Sequence, residues 1–93
     1  MIEEIQKLFF ELEKEHYIVL NKYLTGCITI SEVNAFGQKI EQLRTILDNY
    51  EPTEENMLEI AGYKSKIQHF YTEIMEDEEL LGMAYNNNLS LYR

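Results

Sequence analysis

The sequence predicts an all-α fold: a small antiparallel three-helix bundle, with a short fourth helix as an open addition. Three observations predict it. Apolar residues recur at alternating steps of three and four along most of the chain. Helix-start and helix-stop residues interrupt that pattern at about 25–29 and 50–53. No stretch alternates apolar and polar residues as a half-buried strand would. At 93 residues, the chain reads as one domain, 1–93.

Helix 1 is expected over about 2–24. Ile2, Ile5, Phe9, Leu12, His16, Val19 and Tyr23 form its inward seam. Phe10, Tyr17, Leu20 and Leu24 add a flanking stripe, so the apolar arc is wider than one neighbour requires. The stripe either faces helix 3 or forms a homodimer seam. Gly26 suits the left-handed residue that ends a helix.

Helix 2 is expected over 30–50. Thr29-Ile30-Ser31-Glu32 fits a capping box, with Ile28 and Val33 placed as the hydrophobic staple and Ser31 as a rival cap. Val33, Phe36, Ile40, Leu43, Leu47 and Tyr50 continue in threes and fours. Gly37 interrupts this helix at a cost of roughly 0.5–1 kcal/mol against Ala, which a close helix crossing would explain.

Helix 3 is expected over 54–76. Pro52 disfavours helix at Glu51, Thr53 is the cap, and Glu54 and Glu55 fall in the first turn, where acids favour the helix dipole. Ile60, Tyr63, Ile67, Phe70 and Ile74 form its seam. The next seam position is Asp77, inside the run Glu76-Asp77-Glu78-Glu79. A break there, with Asp77 capping a short helix over 78–85, is favoured over a continuous helix. Asn86-Asn87-Asn88 ends the helical signal, and 86–93 reads as a loosely ordered tail carrying Leu89, Leu91 and Tyr92.

Charge limits the function. The net charge is −9, with an excess of acids in 1–15 and a larger one in 51–93. An acidic body repels nucleic acid and anionic membranes, so direct binding to either is not expected. Cys27 is the one cysteine and is expected to be buried. No signal-type opening is present, and no apolar run approaches the ~18 residues of a membrane span, so a reducing cytoplasm is the expected compartment.

Chemical motifs are sparse. Glu13-x-x-His16 is half of a di-iron bundle pattern. A small metal site would need Glu13, His16, His69 and Glu73 to converge. His69 and Glu73, four apart, can pair across one turn. There is no glycine-rich phosphate loop and no EF-hand loop. Neither enzymatic activity, a cofactor nor a metal is expected.

The acidic run reads either as a solvated helix end or as a binding surface. Carboxylates at i, i+3 and i+4 lie ~5–6 Å apart, close to the ~6–7 Å phosphate spacing of a nucleic-acid strand. The expected function is therefore a non-enzymatic acidic protein that binds and modulates a protein partner through a basic, nucleic-acid-binding type of surface. An inhibitor or antagonist of phage or immunity type is the form expected. Glu73, Glu76, Asp77, Glu78 and Glu79 would steer the encounter, and Tyr85, Leu89 and Tyr92 would anchor it. The alternative is a self-associating bundle, a homodimer through helix 1.

Overall fold

Helix α1 (Ile2–Leu24) buries the expected seam: Ile5, Phe9, Leu12, His16 and Val19 face inward. Its C-terminus closes in a Schellman turn. Gly26 takes a positive φ of 77°, and its N–H donates to the Tyr23 carbonyl while the Cys27 N–H donates to that of Lys22. This turn corrects the expectation of a buried Cys27. The thiol sits outside the turn and is exposed, and Ile28 is the residue that enters the core. The computed structural model describes the backbone of residues 1–90 and the side chains of residues 1–87.

Helix α2 (Ile30–Asp48) starts with the predicted capping box. Thr29 Oγ1 accepts from the Glu32 N–H, and the Thr29 N–H donates to Glu32 Oε1. Ser31 is exposed and plays no capping part. Ile28 and Val33, the staple pair, are both fully buried. The helix ends at Asp48 rather than at 50 and lies antiparallel to α1, with Lys39 Nζ 3.2 Å from Glu15 Oε1. A second ion pair, Lys22–Glu32, ties the two helices near their connection.

Helix α3 (Met57–Met75) starts three residues later than expected. Asn56 causes the delay. Its Oδ1 accepts from the Thr53 N–H at 2.8 Å, and its Nδ2 donates to the Tyr50 hydroxyl at 2.7 Å. These bonds hold 53–56 as a turn, so helical bonding starts with the Ile60 N–H to the Asn56 carbonyl. Glu54 and Glu55 are therefore not first-turn acids of α3; only Glu59 is. Further along, α3 meets α1 through aromatic rings. Phe9 lies 4.5 Å from Tyr63, and His16 stacks on Phe70 at 4.2 Å, centroid to centroid.

The chain breaks after Met75, as the failing seam predicts. Asp77 Oδ1 accepts from the Leu80 N–H at 3.0 Å, the geometry of an N-cap, and α4 (Glu78–Ser90) begins. Leu80 and Ala84 are buried on its inner face. The helix continues through the three asparagines to Ser90, longer than the expected 78–85. Asn87 explains the extension: its Nδ2 donates to the carbonyls of Gly26 and Ile28 at 3.0 and 2.6 Å. Residues 86–90 are thus helix and not a loose tail, while Leu91 and Tyr92 lie outside the described residues.

Helices α3 and α4 together form one broken strut along the α1–α2 hairpin. Gln6 meets Glu59, His16 meets Glu73, and Tyr23 meets Glu79, while Asn87 meets the α1–α2 connection. The core is continuous along this length. Among the described residues there are four helices and no strand. No described helix is long and apolar enough to cross a membrane.

Candidate functional site

The acidic run has individual positions and not one common face. Glu73 is drawn inward. Its Oε2 lies 3.2 Å from His16 Nε2 on α1 and 3.2 Å from His69 Nε2 one turn back on α3. Asp77 caps α4. Glu79 accepts from the Tyr23 hydroxyl at 3.4 Å. Desolvation, together with the nearby Asp77 and Glu79 charges, pushes the Tyr23 phenol above its ordinary range. Glu76 and Glu78 are exposed and make no ion pair among the described residues. Tyr85 is also exposed, and seven residues after Glu78 it falls on the same face of α4. The Leu89 side chain and all of Tyr92 lie outside the described residues.

The histidine cluster brings together three of the four side chains that a metal site would use. Glu13 makes no hydrogen bond or ion pair among the described residues. His16 is buried between the Phe36 and Phe70 rings, which fixes it as a packing residue with one polar edge turned to Glu73. Among the described residues, no group of three His, Cys, Asp or Glu side chains is arranged to hold a metal ion.

A second set of acids gathers at the opposite end of the rod. The first turn of α1, the end of α2 and the connection to α3 meet there. They expose Glu3, Glu4, Asp48, Glu51, Glu54 and Glu55. None of these six forms an ion pair among the described residues. The opposing charges in the adjoining turns are the Met1 amino group, Lys7, Arg44 and Lys64, the last two lining a groove with Asp48. A groove of roughly 490 Å³ opens at this pole, lined by Met1, Thr45, Ile46, Asn49, Tyr50 and Glu51. Leu58 stands beside the connection with 86 % of its surface exposed.

Acids elsewhere are held by specific partners. Hydrogen bonds from Tyr63 (2.5 Å) and Gln6 (2.7 Å) keep the Glu59 carboxyl below its ordinary range. Desolvation and the Glu59 partner push the Tyr63 phenol up to about 12. Burial opposes ionisation of Glu32, but hydrogen bonds from Lys22 and Thr29 outweigh it and hold that carboxyl low. The same Glu32 partner raises the Lys22 ammonium. The six acids of the pole make no contacts of this kind among the described residues.

Sequence spacing links Glu51 to Glu54 and Glu55 but not to Glu3, Glu4 or Asp48. The antiparallel topology supplies that link, because it returns the end of α2 to the start of α1. Comparison with known proteins returns no matching family model, no matching curated protein and no matching solved structure.

Proposed function

We propose that this chain is a non-catalytic protein-binding module. It presents its carboxylate-rich pole to a basic surface on a partner protein and modulates that partner by occupying the surface. The observation that carries this reading is the gathering of Glu3, Glu4, Asp48, Glu51, Glu54 and Glu55 at one end without ion pairs among the described residues. Like charges concentrated in this way repel one another and add nothing to folding. They do steer a cationic partner and set the orientation of encounter. The adjoining groove supplies apolar footing through Met1, Ile46 and Tyr50, the kind of contact that fixes a steered complex.

The chemistry of the partner follows from the sign of the field. Nucleic acid itself is repelled, whereas a protein groove lined with Lys and Arg is attracted. A partner that holds nucleic acid in such a groove would be blocked by this pole, which supports an inhibitor or antagonist. Glu76, Glu78 and Tyr85, exposed along the broken strut, serve as the internal comparison.

The test is affinity capture from host extract with three proteins: the wild type, a pole variant (Glu51→Gln, Glu54→Gln, Glu55→Gln) and a strut variant (Glu76→Gln, Glu78→Gln). A partner retained by the wild type and the strut variant, lost by the pole variant and released by salt is the expected result. Equal retention by the pole variant overturns the proposal.

A further inference from the structure

Helix α1 keeps one face without a neighbour among the described residues. Phe10, Tyr17 and Leu24 recur every seven residues on it and are 56, 66 and 81 % exposed. Of the flanking stripe read from the sequence, only Leu20 packs against the core. The other three therefore do not face α3. Seven residues are close to two helical turns, so these side chains form one row with steps of about 10 Å. Glu13 and Leu20 border the row on one side, and Lys14 and Asn21 border it on the other.

This row is symmetric about Tyr17. A second copy packed antiparallel, with a twofold axis through Tyr17, sets Phe10 against Leu24 of the second copy and Tyr17 against its own counterpart. The same operation keeps each border beside its own counterpart, so Glu13 lies near Leu20 of the second copy. It sets Lys14 near Asn21 of the second copy, whose side-chain oxygen can accept from the ammonium. Lys14 already holds its ammonium 4.5 Å from the Phe10 ring centroid. No pairing along the row opposes like charges. The row and its borders carry one acid and one base on a chain whose net charge is −9. Antiparallel packing also sends the two acidic poles to opposite ends of the assembly, whereas parallel packing would bring them together. A seven-residue row suits the shallow helix crossing of about 20° found in bundles.

We propose that this face of α1 is a homodimer interface, antiparallel and twofold-symmetric about Tyr17. It is independent of the acidic pole, and both surfaces can be occupied at once.

Cysteine cross-linking with light scattering tests it, in a Cys27→Ser background. Tyr17→Cys should give a covalent dimer on mild oxidation, because the two copies of that position meet on the axis. Phe10→Cys alone should not, since its copies lie about 20 Å apart along the helices. Mixed Phe10→Cys and Leu24→Cys proteins should cross-link to each other. Tyr17→Glu, at an exposed site, should shift the light-scattering mass from dimer to monomer while retaining the helical circular-dichroism signal. A monomer mass for the unmodified chain at high micromolar concentration overturns the interface. Self-cross-linking of Phe10→Cys as efficient as that of Tyr17→Cys overturns the antiparallel arrangement.

Discussion

Gly37 and Met75 meet where α2 crosses the end of α3: a Cβ at Gly37 would lie 2.8 Å from Met75 Cε and 3.3 Å from Sδ. The glycine admits the methionine side chain at the point where the third strut breaks.

Four glycine-to-alanine substitutions should therefore separate by environment. Gly62 and Gly82 lie inside helices with nothing within 4 Å of an added Cβ, so Ala should stabilise each by about 0.5–1 kcal/mol. Gly37→Ala should give less than either, because the propensity gain is offset by displacing the Met75 methyl. Gly26→Ala should destabilise by about 1 kcal/mol, owing to the left-handed backbone there. Thermal or denaturant melting of the four variants checks the order.

Asp77 decides whether α4 is a separate helix. Asp77→Ala should cost about 1 kcal/mol, and Asp77→Asn only a few tenths, since Asn caps nearly as well. Amide hydrogen exchange should show faster exchange at Leu80 and Leu81 in Asp77→Ala, with the middle of α3 unchanged. Equal exchange in Ala and Asn variants would rule out the cap.

The Tyr63–Glu59 contact predicts losses of stability at both ends of the pH scale. Burial and the Glu59 partner push the Tyr63 phenol up to about 12, against 10.0 ordinarily. Its contribution is complete below pH 10 and is lost as pH rises through 12. Glu59 has a depressed value in the fold against 4.5 ordinarily, so its contribution is present above pH 4.5 and is lost as pH falls below it. Tyr63→Phe should flatten the alkaline loss in a pH series of melting temperatures. It should also weaken the acid-side loss, because Glu59 loses a donor.

His16 separates packing from chemistry. As a buried ring between Phe36 and Phe70, its removal in His16→Ala should cost about 2–4 kcal/mol. His16→Phe should stay within about 1 kcal/mol, because the ring is kept and Glu73 retains His69 and water. A cost for Phe as large as that for Ala would give the imidazole an essential polar role. Denaturant unfolding distinguishes the two outcomes.

The helices were legible because each leaves a periodic trace. Ile5, Phe9, Leu12, His16 and Val19 recur at fixed steps, and all are buried. The break at Asp77 was visible as a charged residue at a seam position. Contacts between residues far apart in sequence leave no such trace. Asn87 extends α4 by reaching Gly26 and Ile28, although the three asparagines read locally as a stop. Asn56 delays α3 through bonds to Thr53 and Tyr50, where Thr53 alone read as the cap. The same limit shaped the reading of the site. Consecutive acids at 76–79 drew attention as a run, but Asp77 caps a helix and Glu79 meets Tyr23. The pole is assembled from three separate segments and appears only when the chain is folded.

The most direct measurement is amide chemical-shift mapping of the labelled chain with the captured partner. Perturbations concentrated at residues 1–4 and 45–58, diminishing with added salt, are expected. Perturbations confined to the 73–85 strut, or to the Phe10–Tyr17–Leu24 row, would contradict the assignment of the acidic pole as the binding surface.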